Sequence, residues 1–192
     1  RDWTDVIQVA AGSQHSLILR ADGSLWAAGH NYRGQLGDGT TTARQVSMQV
    51  IPGSVVSVAA GDYHTVAVKA DGSLWAWGMN SYGQLGDGTT TERHTPTRIL
   101  SSGVVAVAAG ANHTLIIKSD GSLWACGQNT YGQLGDGTTT DRPGFVQLEP
   151  AGVVSVAAGD GHTLVVKADG SLWACGKNPY GQFGNGTTAD SP

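Results

Sequence analysis

The stretch VVSVAAGDGHTLVVKADGSLWACGKNPYGQFGNGTT (Val153–Thr188) is written four times in this chain, with small changes each time. His15, His64, His113 and His162 mark the copies, each 49 residues after the last. Trp26, Trp75, Trp124 and Trp173 keep the same spacing, and so do Gly34, Gly83, Gly132 and Gly181. A repeat of fixed period decides the architecture before any residue-level reading does. The units are 1–49, 50–98, 99–147 and 148–192, the last one stopping four residues short.

Each unit reads as a short antiparallel meander. VVSVA from Val153 is a first strand, AGDG a break, and HTLVVK from His162 a second strand. ADG, residues 168–170, then makes a tight turn, and Asp169-Gly170 is the pair a two-residue hairpin wants, since both positions there need positive φ. SLWACG from Ser171 is a third strand, followed by a long glycine-rich loop. The first three units then add a fourth segment, VSMQVIP, TPTRIL and FVQLEP. The strands are apolar on both faces, which fits sheets sandwiched between other sheets. Four strands per unit of 40–50 residues, with glycine at the corners, describe β-propeller blades. The fold class is therefore all-β: four-stranded antiparallel blades in a single repeat domain spanning 1–192, forming a partial propeller or an oligomer that closes a ring. A helical solenoid does not fit a chain with 29 glycines, and a parallel β-helix needs a shorter period.

Composition excludes several functions. The net charge is −4 and there is no basic run, which argues against a nucleic-acid or anionic-membrane surface. No apolar stretch approaches membrane-spanning length. The chain opens RDWTDVIQV, without Met or a signal peptide, and reads as processed or excised from something longer. The first three strands occur four times and the fourth segment three times, so one strand is missing. An open arc exposes its end faces. The expectation is a longer propeller, or self-association in which two copies give eight blades.

The combined motif A-G-x-x-H-[TS], D-G-S-L-W and G-x-N-x-x-G-Q-[LF]-G resembles the repeat of the regulator of chromosome condensation family, in its simple bacterial form. The resemblance covers essentially the whole chain and implies a propeller, commonly of seven blades. Partners within the family include small GTPases, chromatin and, for a bacterial propeller inhibitor, β-lactamases. The tryptophan-bearing G-W-R-H-T motif of the plant ultraviolet-B photoreceptor has no match; the corresponding strings are GSQHS, GDYHT, GANHT and GDGHT.

The motifs that suggest chemistry fail their tests. GQLGDGTTT from Gly34 satisfies half of a phosphate loop, but Thr40 stands where its lysine should be and no helix pattern follows. Each copy offers one acid (Asp38, Asp87, Asp136, with Asn185 in the last), too few for a tight calcium site. Glycine turns and an aspartate accepting main-chain N–H groups explain the loop better. One histidine per blade in one column (His15, His64, His113, His162) reads as a repeated internal hydrogen bond rather than a metal ring or a base. The four tryptophans read as packing between blades. Cys126 and Cys175 lie one repeat apart, about 10 Å on face-packed sheets, too far for a disulfide. Asn112 and Asn185 open glycosylation sequons that the repeat pattern itself explains. No catalytic, cofactor or metal residues are assigned, and the chain reads as a non-enzyme.

An asymmetric function belongs in the columns that differ. The loop after the first strand reads Ser13-Gln14, Asp62-Tyr63, Ala111-Asn112 and Asp160-Gly161. The loop after the third reads His30-Asn31-Tyr32-Arg33, Met79-Asn80-Ser81-Tyr82, Gln128-Asn129-Thr130-Tyr131 and Lys177-Asn178-Pro179-Tyr180. In a meander both loops leave on the same face. The partner-binding set is His30, Tyr32, Arg33, Asp62, Tyr63, Met79, Tyr82, Gln128, Tyr131, Lys177 and Tyr180, types enriched at protein interfaces. The expected function is a protein–protein interaction scaffold, from a fragment or an amplified or engineered repeat that self-assembles. The alternatives are guanine-nucleotide exchange on a small GTPase and inhibition of a secreted enzyme such as a β-lactamase. The partner's identity is open, and the chain reads as soluble and bacterial, either secreted or cytoplasmic.

Overall fold

The computed structural model describes residues 3–192; Arg1 and Asp2, which open the first repeat unit, lie outside it. The described chain is strands and loops with no helix, so no helix is long and apolar enough to cross a membrane. Four antiparallel sheets follow one another in sequence order. The first holds β1 (Val6–Ala11), β2 (His15–Arg20), β3 (Leu25–Gly29) and β4 (Arg44–Ile51). The second holds β5 (Val55–Ala60), β6 (His64–Lys69), β7 (Leu74–Gly78) and β8 (Arg93–Leu100). The third holds β9 (Val104–Ala109), β10 (His113–Lys118), β11 (Leu123–Gly127) and β12 (Arg142–Glu149). The fourth has three strands, β13 (Val153–Ala158), β14 (His162–Lys167) and β15 (Leu172–Gly176). Beside them is an isolated bridge in which Gly176 and Ser191 exchange main-chain hydrogen bonds of 2.7 and 3.1 Å. Arg44 pairs with Gly29, Arg93 with Gly78 and Arg142 with Gly127 in the same register.

Two local expectations need correction. The fourth strands start earlier than VSMQVIP, TPTRIL and FVQLEP suggest, at Arg44, Arg93 and Arg142, because each arginine is anchored to an aspartate of its own loop. The turn between second and third strands is Ala168–Gly170 as expected, but its Asp-Gly pair does not take positive φ at both positions. The Lys167 N–H donates to the Ser171 carbonyl at 3.0 Å and the Gly170 N–H to the Lys167 carbonyl at 2.9 Å, which encloses three residues, Ala168–Gly170. Only the glycine takes positive φ, +83°. Asp169 keeps negative φ because its Oδ1 accepts the Ser171 N–H and Oγ–H, at 2.9 and 2.6 Å. Asp-Gly serves this turn as well as the two-residue one, so the dipeptide alone does not discriminate.

The core lies between the blades. Leu17, Leu19, Leu25 and Ala27 face forward from the first blade and meet Val58, Ala67, Trp75 and Trp77 on the rear of the second. Val66, Val68, Leu74 and Ala76 meet Val107, Ile116 and Trp124 in the same way, and Leu115, Ile117, Leu123 and Ala125 meet Val156 and Val165. This interleaving explains strands that are apolar on both faces. The first strands β1, β5, β9 and β13 pack against one another in series and form the inner wall. Pro96 and Pro143 sit on outermost strands, where the lost N–H has no ladder partner.

The end faces lack this cover. Leu172 is 63% exposed, while its equivalents Leu25, Leu74 and Leu123 are at most 1% exposed. Val9, on the rear of the first blade, is 69% exposed against 3% for Val58. Beside the three-stranded fourth blade, a slot of about 280 Å³ opens between the third and fourth blades, lined in part by Leu134, Leu148, Trp173 and Cys175.

Candidate interaction site

The glycine-rich loop holds its own charges. Asn31, fully buried, accepts the Leu36 N–H on Oδ1 at 2.9 Å; its Nδ2 donates to the carbonyls of Thr40 and Thr42 and to Asp38 Oδ1, at 3.0–3.1 Å. Asp38 Oδ1 also accepts from the Thr40 N–H and hydroxyl, and Oδ2 accepts two bonds from Arg44, at 2.8 and 2.6 Å. Burial works to raise the Asp38 pKa, but the bonds from Thr40, Arg44 and Asn31 outweigh it and bring the value to about 2. Asn80, Asp87 and Arg93 repeat the arrangement, as do Asn129, Asp136 and Arg142. Such a loop has neither a free cation for phosphate nor a free carboxylate for calcium. Among the described residues no group of three or more His, Cys, Asp or Glu side chains could hold a metal ion.

The column histidines link neighbouring blades. His15 Nε2 lies 3.0 Å from Thr65 Oγ1, His64 Nε2 2.9 Å from Thr114 Oγ1, and His113 Nε2 3.1 Å from Thr163 Oγ1. Each threonine hydroxyl donates its proton backward, to the carbonyl of Gln35, Gln84 or Gln133, at 2.7–2.8 Å. It must therefore accept from the histidine, which fixes the proton on Nε2. Nδ1 is left bare and buried in all three. Burial is the main force lowering these pKa values, to about 4 for His15, about 3 for His64 and about 4 for His113. An imidazole neutral throughout the physiological range, with no room beside it, is a poor general base. Gly61 must lack a side chain, because a Cβ would overlap the His64 ring and the Gly110 carbonyl. Column 28 of the repeat serves the same carbonyls: Trp77 Nε1 donates to Gln35 at 2.9 Å, and Cys126 and Cys175 sulfurs approach those of Gln84 and Gln133 at 3.5 and 3.6 Å. Both cysteines are free, and burial raises Cys126 well above the usual thiol range and Cys175 to about 11. The column tryptophans donate Nε1–H to Ser24, Ser73, Ser122 and Ser171, and Lys69, Lys118 and Lys167 cover the rings of Trp75, Trp124 and Trp173 at 3.8–4.3 Å.

The variable loops meet on one face. Main-chain bonds of 2.8–2.9 Å run from the N–H of His30 to Gln14, Met79 to Tyr63, Gln128 to Asn112 and Lys177 to Gly161, tying the two loops of each blade together. His30, Tyr32, Arg33, Asp62, Tyr63, Met79, Tyr82 and Asn112 line one open cavity of about 440 Å³ across the first two blades. The His30 ring packs edge-on to Tyr32, with centroids 4.3 Å apart, and lies 5.9 Å from Tyr63. Gln128 joins through Asn112, whose Nδ2 donates to its Oε1 at 3.3 Å. Tyr131 and Lys177 form a second cluster with Asp160, where Lys177 Nζ is 3.3 Å from the carboxylate and 5.2 Å from the ring centre. Tyr180 stands apart and is 89% exposed.

Asn112 and Asp160 belong to these clusters although the partner-binding set omits them; their columns alone were the available signal. Glu92, Asp141 and Asp190 are taken up internally: Glu92 pairs with Arg33 at 2.8 Å, and Asp141 and Asp190 accept the N–H groups of Asn129 and Asn178 at 2.7 Å.

A family model for the RCC1-like domain matches residues 1–192. The chain belongs to the RCC1-like domain family. Among solved structures, human WBSCR16 is 27% identical, with a TM-score of 0.82, covering 97% of this chain and 50% of its own. Yeast RCC1 (Prp20), solved with Kap60 bound, is 25% identical with a TM-score of 0.83, covering 100% of this chain and 48% of its own. A second structure of Prp20p from Saccharomyces cerevisiae, described with its binding to Gsp1p and histones, gives 25% identity and a TM-score of 0.83. The chain thus spans about half the length of these structures. The RCC1-like domain here is a partial propeller of three complete blades and one lacking its outer strand.

Proposed function

We propose that this RCC1-like domain is a non-enzymatic protein-interaction scaffold, with its partner surface on the face where the first and third inter-strand loops emerge. One observation carries the reading. The columns common to all repeats are absorbed into the blades and the links between them, whereas eight residues of the variable loops line one cavity on one face. Half-buried tyrosines and a methionine there offer apolar area with little side-chain entropy left to lose. The test compares Tyr63→Ala/Tyr82→Ala and Tyr131→Ala variants with the parent in pull-downs and in melting. Capture of a partner should fall at least tenfold with the melting midpoint unchanged. An equal loss of stability would make these tyrosines part of the scaffold and sink the proposal.

Nucleotide exchange on a small GTPase is the alternative supported by similarity to Prp20p, whose structure is described with binding to Gsp1p. Inhibition of a secreted enzyme such as a β-lactamase is the other. Release of labelled guanine nucleotide from a small GTPase, or loss of β-lactamase turnover, on adding the domain would select one of them.

The uncovered Leu172 and Val9 support a second property, self-association. The forward face of the fourth blade repeats the surface that covers each following blade, so the rear of another first blade is its complement. Two copies joined head to tail add to eight blades.

A further inference from the structure

Asp62 is a half-buried carboxylate on the rim of the cavity, and among the described residues no hydrogen bond or ion pair reaches it. Burial raises its pKa, and the Asp160 charge adds to the effect. A carboxylate partly withdrawn from water and left unpaired costs free energy that an incoming cation recovers. The other formally charged side chain of this cavity, Arg33, is engaged by Glu92 at 2.8 Å.

The same fold position is filled two blades on. Asp160 occupies the column of Asp62, and Lys177 the column of Met79. There the lysine amine sits 3.3 Å from the carboxylate with the Tyr131 ring 5.2 Å away. In the second blade a methionine replaces the lysine, so the acid remains without its amine. Arg33 stands in the column of Tyr131, and the aromatic walls come instead from Tyr63, Tyr82 and Tyr32. Tyrosine faces and a thioether suit the aliphatic stem and ammonium of a lysine. We propose that the cavity across the first two blades binds a lysine side chain of the partner protein, its amine against Asp62 and its stem between Tyr63, Tyr82 and Met79. The inference rests on this face being the partner surface and names the chemistry it reads.

Titrating tetralysine peptide into the isotope-labelled 192-residue chain, followed by two-dimensional NMR, tests it. Resonances of Asp62, Tyr63, Met79 and Tyr82 should move together, and tetraglutamate should leave them in place. Asp62→Asn should weaken the peptide at least tenfold. Met79→Lys keeps the carboxylate but supplies an internal amine, as Lys177 does, and should weaken it similarly. Lys177→Met should open a second site at Asp160. Shifts spread evenly over the exposed carboxylates, or affinity unchanged in Asp62→Asn and Met79→Lys, would overturn the proposal. If the peptide fails while Tyr63→Ala/Tyr82→Ala still abolishes protein capture, the lysine inference falls and the interaction face stands.

Discussion

His64 has its single proton committed to Thr114 and a bare Nδ1 with no acceptor beside it. Protonating it in the folded blade places an unpartnered N–H and a charge among apolar side chains. The folded pKa values, about 4, 3 and 4 for His15, His64 and His113, lie below the ordinary 6.5. The unfolded chain therefore binds more protons between pH 6.5 and about 3, and stability is full above that window and lost as pH falls through it. Each histidine contributes on the order of a few kcal/mol at the acid end. Denaturant melts at pH 7 and pH 5 should show a clear loss, and His64→Gln should flatten the slope while costing stability at pH 7. A slope unchanged in His64→Gln would remove the histidines as its cause. The sequence exposed the histidine column through its spacing. It hid the partner, because Thr65, Thr114 and Thr163 lie one residue after the next histidine, in a strand read as ordinary β propensity.

In the loop that joins the third and fourth strands, one buried asparagine replaces a second layer of structure. Asn80 accepts the Leu85 N–H at 3.0 Å and donates to the Thr89 and Thr91 carbonyls at 3.1 and 3.0 Å. Asn80→Ala should lose about 3 kcal/mol in chemical unfolding, since several main-chain groups lose their partner together. Asn80→Asp should be destabilising too, because it replaces two N–H donors with an acceptor facing carbonyls and Asp87. A neutral Asn80→Ala would mean that water restores these bonds. The element-level reading from sequence succeeded where period and strand pattern agree, as in β5–β7, and missed the starts of β4, β8 and β12. Arg44, Arg93 and Arg142 look like loop residues in sequence; only the folded loop brings round to them Asp38, Asp87 and Asp136, six residues earlier in the chain. The variable face was legible for the same topological reason: a meander sends alternate turns to one side. Which of its side chains share a cavity, and which, like Tyr180, do not, depends on neighbouring blades and not on the columns.

For the whole molecule, the repeat makes each blade both host and guest. Within these 192 residues no repeat follows His162 to supply its threonine, and Ser16 stands in the threonine column of the first blade. Head-to-tail contact would bring His162 Nε2, Ser16 Oγ and the Gln182 carbonyl into the linkage seen at the three interior interfaces. Ser16→Ala should then weaken association several-fold while leaving the interior blades intact, read from the dissociation constant and from near-ultraviolet circular dichroism. Burying Leu172 alone offers roughly 1.5–3 kcal/mol per interface. The central claim is that this chain is a propeller arc whose two end faces are interior surfaces. Its most direct test is the mass of the 192-residue chain in solution by light scattering at micromolar concentration. The expected result is a monodisperse species of twice the 19.7 kDa chain mass. A cooperatively melting monomer of 19.7 kDa would contradict it.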